Sequence, residues 1–494
     1  MYAFEQAAAC LLACLTMLSL RDHPDYKHQL KENIIMSRPN TLQTIISVAA
    51  CKATRSILRK TGKGGTAVPG KVAMRVSKEI LKRTSDGMEI IVVTGTNGKT
   101  TTCNMIEHAL TETGHPCLLN KSGANLLSGI TADLTCNSTW TGKPKTHYAV
   151  LECDEAALKQ VVPLVHPKAV VVTNLFSDQV DRYGGVENTL KEIRIGASRV
   201  PETTLVLNAE EPLSASLAPG LPNQVVYFGL DASVGVQGDI DLTDAGKCPR
   251  CGGEYVYDYN IYAHLGGFRC QSCGYQRQQP DVAVTSIDEV SASGTQIHMK
   301  AKGKDYDVSI SLPAVYNVYN AAAAVAAVGV LGVPAEEAIK TLSSVRSSFG
   351  RLETFDLNGN RLQMILVKNP AGCNQAFSYL TGLEEDYTAV LFLNNRTGDG
   401  HDISWIKDTD YEKLCADPHM KKLYVGGECA AELKDRLLEA GASEEIMQMV
   451  GDYDELLSLL KEEERPIFAL PNYTAMMDMR KVLSQATNQK DFWE

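Results

Sequence analysis

Seven consecutive residues, Gly95-Thr96-Asn97-Gly98-Lys99-Thr100-Thr101, have the types and spacing to hold a nucleotide. Glycines let backbone N–H groups converge on phosphate oxygens. Lys99 supplies positive charge for the β- and γ-phosphates, and the Thr100 hydroxyl can sit on Mg²⁺. The spacing G-x-x-G-K-T is shorter than the usual phosphate loop. Its context compensates. The apolar run Ile90-Ile91-Val92-Val93 reads as a buried strand before it, and residues 101–113 read as a helix after it. A helix N-terminus adds favourable partial charge for phosphate. Binding of ATP with Mg²⁺ is the chemistry this loop predicts.

Glu152 ends another apolar strand, Ala149-Val150-Leu151. A strand-end carboxylate can be a helix cap or a solvated loop residue. Beside a phosphate loop it also stands where a Mg²⁺-holding carboxylate belongs. Asp154 and Glu155 read as caps of the next helix. Cys248, Cys251, Cys270 and Cys273 form C-x₂-C-x₁₈-C-x₂-C, with Gly252 and Gly274 after the second cysteine of each pair. Four thiolates at this spacing predict a closed, structural Zn²⁺ site. A redox or nucleic-acid-binding ribbon is the functional alternative. The spacer tyrosines (Tyr255, Tyr257, Tyr259, Tyr262) favour a structural or docking insert, and His264 is not needed as a ligand. Arg351 stands at the junction of two α/β patterns. It serves either as an interdomain ion pair or as a group reaching the nucleotide phosphates when the domains close. His401 and Asp402 follow a predicted strand at 389–393. As chain neighbours they are not expected to work as a pair, and no Ser or Cys nucleophile with a base accompanies them.

Positioning such groups requires a sheet. Further buried runs, Ala169-Val170-Val171-Val172-Thr173 and residues 204–207, end in Asn174 and Asn208. Strands alternating with helical patterns predict a doubly wound parallel sheet, with ligands at the carboxyl ends of its strands. The alternation breaks over 231–312, around the cysteine pairs and β-like runs at 296–300 and 306–310. An Ala-rich helix follows at 317–331. Beyond Arg351, runs at 364–367, 388–393, 422–425 and 466–470 predict a second, smaller α/β domain. Ahead of the first sheet, Leu42, Ile45, Ile46, Ala49, Ala53 and Ile57 recur at helical spacing among Lys52, Arg55, Arg59 and Lys60. They predict an amphipathic helix. A Gly- and Pro-containing loop at 62–70 and a helical stretch at 72–81 come next.

The chain has 494 residues, enough for two or three domains. Its net charge of −11 argues against a nucleic-acid partner. Ten scattered cysteines read as reduced thiols. No segment approaches the roughly 20 apolar residues that span a bilayer. The apolar stretch at 7–20 lacks the basic start of a secretory signal. Met36 reads as a natural beginning, which makes residues 1–35 a start-site extension or a poorly ordered tail.

The phosphate loop, Glu152, Thr173-Asn174 with Asp178, Asp181 and Gly184, the Asn317/Asn320 helix start and Gly350-Arg351 together resemble the Mur ligases. Those are ATP-dependent amide-forming enzymes of peptidoglycan synthesis. The cysteine insert, Lys368-Asn369-Pro370-Ala371-Gly372, Asp399-Gly400-His401-Asp402-Ile403-Ser404-Trp405-Ile406 and Pro471-Asn472-Tyr473-Thr474 resemble one branch, the MurT proteins. The resemblance spans residues 40–490. It implies an N-terminal extension over 1–39 and a Mur ligase central ATP-binding domain over 40–348, with a zinc-ribbon insert at about 246–280. A Rossmann-like C-terminal domain follows over 349–494. It also implies a reaction: ATP-dependent amidation of the α-carboxylate of D-glutamate in the lipid II stem peptide. That reaction passes through an acyl phosphate, at the inner face of the membrane, with ammonia from a GatD-type glutamine amidotransferase.

By the same resemblance, Gly95, Thr96, Asn97, Gly98, Lys99, Thr100, Thr101, Asn317, Asn320 and Arg351 bind the nucleotide, and Thr100 and Glu152 bind Mg²⁺. Lys99 and Arg351 stabilise phosphoryl transfer. Asp402 completes the partner's Cys–His pair across the interface by orienting its His. His401 replaces a frequent Arg and Lys407 a frequent aromatic, which bears on partner contacts. There is no room before residue 90 for a full UDP-sugar-binding domain. A Mur- or folylpolyglutamate-type ligase that joins an amino acid, and a non-catalytic ATP-binding scaffold, are the competing expectations.

Overall fold

The computed structural model describes residues 41–60, 67–120, 123–176, 185–234, 245–291, 293–346 and 350–487. Asp178, Asp181, Gly184 and the expected extension at 1–39 lie outside the described residues.

Among the described residues, eleven strands occupy the first part of the chain. In order they are β1 (Glu89–Thr94), β2 (Cys117–Leu119), β3 (Tyr148–Glu152), β4 (Ala169–Val172), β5 (Thr204–Asn208), β6 (Val225–Leu230), β7 (Tyr255–Tyr262), β8 (Leu265–Cys270), β9 (Val282–Ser291), β10 (Gly294–Ala301) and β11 (Lys304–Ile310). Nine of them form one sheet in the order β11-β10-β9-β6-β5-β4-β1-β3-β2. From β2 to β9 every pairing is parallel, and β10 and β11 add antiparallel edges. The central strands are apolar on both faces because helices cover both. Helices Lys99–Glu112 and Val315–Val330 pack on one side. Helices Leu127–Cys136, Glu155–Val165 and Val186–Ser198 pack on the other. In Val315–Val330 the run Ala321–Ala324 is buried, and its small side chains let that helix lie close to its neighbours.

β7 and β8 stand apart as a two-stranded hairpin between β6 and β9. The expected break over 231–312 is therefore this hairpin plus the antiparallel edge of the same sheet. A second sheet holds β12 (Arg351–Leu357), β13 (Asn360–Ile365), β14 (Tyr387–Phe392), β15 (Met420–Gly426), β16 (Met447–Met449) and β17 (Ile467–Pro471), in the order β12-β13-β17-β14-β15-β16. Only the β12–β13 pairing is antiparallel.

Two local expectations change. The stretch 62–70 is not all loop, because a helix begins at Ala67 and runs to Val76. Pro69 sits in its first turn, where a missing N–H costs nothing. Helix Thr41–Lys60 forms as expected, but its apolar stripe does not face the core. Thr44, Ser47, Val48, Ala50 and Cys51 are the buried residues. They pack against Ala73, Ile80 and Ala132, and Gly70 lies so near the Ser128 carbonyl that a Cβ there would collide with it. Close helix approach selects small residues, so size rather than hydropathy chose the buried face.

Candidate active site

The phosphate loop joins β1 to helix Lys99–Glu112 at the carboxyl edge of the large sheet. Two glycines fix its path. Gly95 has φ +120°, and a Cβ there would meet the Thr173 hydroxyl. Gly98 has φ +84°, and a Cβ there would run into the Asn320 side chain. Asn174 at the end of β4 pins the loop. Its Oδ1 accepts the Asn97 N–H at 2.9 Å, and its Nδ2 donates to the Asn97 carbonyl at 3.1 Å. Thr96 is held reciprocally with Phe176: its hydroxyl donates to the Phe176 carbonyl and accepts the Phe176 N–H.

Thr100 donates its hydroxyl to Glu152 at 2.7 Å, with both side chains buried. A hydroxyl and a carboxylate converging at the start of the loop helix form an oxygen donor pair suited to Mg²⁺, which takes hard oxygen ligands. Glu152 is set by its strand: Asn120 accepts the Glu152 N–H at 2.7 Å and donates to its carbonyl at 2.9 Å. Asp154 caps the next helix by accepting the Ala156 N–H. Glu155, expected to be a second cap, instead turns inward and holds Lys99 at 2.8 Å. Burial opposes the Lys99 charge, but Glu155 and Glu152 outweigh it and hold the ammonium above its ordinary pKa.

A cleft opens between the two sheets over Asn97, Gly98 and Thr101. Asn320 lines it and accepts the Thr102 hydroxyl at 3.2 Å; Asn317 in turn accepts an N–H from Asn320 at 3.0 Å. Arg351, the first residue of β12, faces the same cleft from the second sheet. The structure thus brings together the loop, Glu152, Asn317, Asn320 and Arg351. Asn97 and Asn369 clasp across the cleft, the Asn369 amide donating to Asn97 Oδ1 at 3.2 Å. Sequence reasoning missed Glu155, Asn369 as a contact, and the aromatic wall of Phe176, Tyr262 and Tyr316. Tyr262 comes from the end of β7 and stacks on Phe176, with ring centroids 6.2 Å apart and 17° between planes.

The four cysteines gather at the other end of the β7–β8 hairpin. Their sulfurs all lie within 4.8 Å of one another, with Cys248–Cys273 at 3.7 Å and Cys251–Cys270 at 3.5 Å. A tetrahedral site with metal–sulfur bonds of about 2.3 Å needs sulfurs about 3.8 Å apart. The donor set and spacing therefore fit one closed metal site. His264 is excluded from it, since it is buried against Glu211 with Nε2 3.1 Å from the carboxylate. Arg277 likewise ties the ribbon to Glu210, two residues past β5 of the large sheet, at 2.6 Å.

Asp402 is not among the residues that line the cleft; it sits on an exposed loop after β14 and accepts the Ser404 N–H at 2.8 Å. That hydrogen bond holds its carboxyl below the usual carboxylate range. His401 does not pair with it; its Nδ1 lies 2.7 Å from the Asn395 carbonyl. Arg396, bonded to Glu428 and Asp478, and Asp399, which accepts the Thr474 N–H, brace the same loop.

Comparison with known proteins places this arrangement. The Mur ligase middle domain model matches residues 93–249, and the MurT ligase C-terminal model matches 366–476. Among solved structures, MurF from Acinetobacter baumannii superposes with a TM-score of 0.63 at 17% identity, covering 85% of this chain and 80% of that one. A pseudomurein peptide ligase type C from Methanothermus fervidus gives 0.62 at 16% identity, covering 90% and 97%. The fold is that of the Mur ligases. A lipid II isoglutaminyl synthase (glutamine-hydrolyzing) subunit MurT from Streptococcus pneumoniae is 34% identical over 446 residues, 90% of this chain and 97% of its own length. Its counterpart from Staphylococcus aureus strain COL is 32% identical over 448 residues, covering 89% and 98%. The chain belongs to the MurT family.

Proposed function

We propose that this protein is the synthetase subunit of a lipid II isoglutaminyl synthase. It phosphorylates the α-carboxylate of D-glutamate in the stem peptide with ATP and lets ammonia displace the phosphate. Ammonia comes from a glutamine amidotransferase subunit of GatD type, and the reaction runs at the inner face of the membrane. The observation that carries this reading is the phosphate loop, whose Asn97, Gly98 and Thr101 line the same cleft as Arg351 of the second sheet, while its Thr100 is bonded to Glu152 just beneath.

A carboxylate is a poor electrophile, and phosphorylation gives it a leaving group. The transferring phosphoryl spreads negative charge over its oxygens, so catalysis is positioning plus electrostatics. Lys99 meets that charge from the loop and Arg351 from the facing sheet. Thr100 and Glu152 would hold Mg²⁺, which supplies further charge neutralisation when bound. Asn317 and Asn320 fix the helix start against the loop. The four cysteines hold Zn²⁺ in a structural role. The central unit ends at residue 348 and the C-terminal unit starts at 349, so that Arg351 moves with the second sheet. Asp402, outside the cleft and charged, orients the partner's catalytic His and stabilises its imidazolium form.

Reconstitution tests the whole reading. The chain, a GatD-type glutaminase, glutamine, ATP, Mg²⁺ and lipid II are combined, and the muropeptide is analysed by mass spectrometry. Amide formation with ADP and phosphate release is expected, and free ammonia replaces glutaminase and glutamine. ATP turnover that requires an amino acid instead would assign the chain to the amino-acid-joining ligases.

A further inference from the structure

Helix Thr41–Lys60 turns its apolar stripe outward. Leu42 is 61% exposed and Ile57 52%, while Ile45, Ile46, Ala49 and Ala53 between them are only partly buried. Cationic side chains flank the stripe: Arg59 and Lys60 are exposed, and Lys52 sits with its ammonium 4.7 Å above the ring of Trp140. Trp140 itself is 59% exposed, on a loop that also presents Lys143 and Lys145 to solvent. Between residues 41 and 85 the sequence has ten Lys and Arg against one acidic residue, Glu79, in a chain of net charge −11. Arg55 turns inward, to Asp133.

This pairing of features has a physical meaning. An outward apolar stripe edged with Lys and Arg lies in the plane of a bilayer surface, its apolar side in the acyl boundary and its cations at the headgroups. Tryptophan prefers that same interface. No helix among the described residues is long and apolar enough to cross a membrane, so the helix would lie on the bilayer rather than span it. Charge selects the lipid: a basic patch on an acidic protein is drawn to anionic headgroups, while the rest of the molecule is repelled. The patch also leads to the site. Cys51 abuts Cys136 and Arg55 pairs with Asp133, so the helix runs antiparallel to helix Leu127–Cys136. Its Ile57–Lys60 end therefore points toward Ala124–Leu127. There the Asn125 carbonyl accepts the Asp154 N–H, and Leu126 is 50% exposed beside the catalytic edge.

We infer that helix Thr41–Lys60 and the Trp140 loop form a docking surface for an anionic lipid bilayer, which keeps the active-site edge at the membrane plane. The purpose of such docking rests on the lipid-linked substrate proposed above, but the vesicle-binding measurement that tests it needs no such substrate.

The full-length chain is mixed with vesicles of phosphatidylglycerol and phosphatidylcholine, or of phosphatidylcholine alone, and sedimented. Binding to the anionic vesicles and its loss at high salt are expected, with a blue shift of tryptophan emission that Trp140→Phe removes. Ile57→Glu should weaken binding about tenfold or more, the cost of one large apolar contact. Arg59→Glu with Lys60→Glu should do the same through charge. Both variants should amidate detergent-dispersed substrate at the unaltered rate. Equal binding to neutral vesicles, or no effect of either variant, overturns the inference. So does a dimer that Ile57→Glu dissolves, which would make the stripe an interface between copies. Loss of amidation in detergent by the unaltered protein would instead count against the proposed reaction, whatever the vesicles show.

Discussion

The Lys99 ammonium lies 2.8 Å from the Glu155 carboxylate, and both side chains are nearly buried. Lys99 also donates to the carbonyls of Gly95 and Thr96. The positive charge of the phosphate loop is thus folded back and neutralised by the protein itself. Phosphates must compete with Glu155 for it. Glu155→Gln should tighten ADP and ATP binding roughly three- to tenfold, because an amide competes less well than a carboxylate for a cation. The same change should cost the nucleotide-free protein about 1–3 kcal/mol, the penalty of leaving a buried charge without its partner. Calorimetric titration and thermal unfolding read the two effects, and weaker nucleotide binding in this variant would refute the competition.

Glu152→Gln keeps an acceptor for the Thr100 hydroxyl but removes the negative charge that Mg²⁺ requires. Stability should change little. ATP turnover should fall by about 100-fold or more, as expected when a metal-held charge is lost from phosphoryl transfer. A Mg²⁺ titration distinguishes this from general damage: the variant should need far more Mg²⁺ than the unaltered protein. An unchanged Mg²⁺ dependence would remove Glu152 from the metal site.

The candidate metal site and the cleft meet on one hairpin, since Tyr262 ends β7 while Cys270 ends β8 and Cys248, Cys251 and Cys273 flank the two strands. Cys251→Ser should release the metal, measured by elemental analysis, and weaken nucleotide binding as well. Tyr262→Ala should keep the metal and weaken nucleotide binding about three- to tenfold, the worth of one aromatic stacking contact. Metal loss without any change in nucleotide affinity would show that bonds such as Glu211–His264 and Glu210–Arg277 hold the hairpin tip without the metal.

Asp402 is held ionised by the Ser404 N–H. A depressed carboxylate retains its charge as pH falls and loses it only below the ordinary carboxylate range. The glutaminase activity of the complex should therefore show no Asp402 titration between pH 5 and 8 on the scale where His titrates. Asp402→Asn should lower glutamine hydrolysis at every pH in that window and spare ammonia-driven amidation. Unchanged hydrolysis in an intact complex would reduce the loop to a structural element.

The amino-acid sequence by itself determined what is local. The strands around the loop were legible because both faces are covered, which writes continuous apolar runs at 90–93, 149–151 and 169–172. The phosphate loop was legible because glycines, lysine and threonine act within seven residues, and the candidate metal site because two cysteine pairs, each with two residues between its members, recur 18 residues apart. What only the tertiary structure decided is which side of each element meets which neighbour. Helical periodicity in Thr41–Lys60 announced a helix but not that its small residues, rather than its isoleucines, would be buried. Glu155 read as a cap because its partner, Lys99, is 56 residues away. The clasp of Asn97 with Asn369 joins residues 272 apart, and Tyr262 reaches the cleft only because β7 is long enough to carry it there. Such contacts depend on chain reversal and packing distance, which no local pattern encodes. The phosphate loop therefore identified itself, whereas its cleft, its counter-charge and the outward apolar stripe of helix Thr41–Lys60 came from the fold.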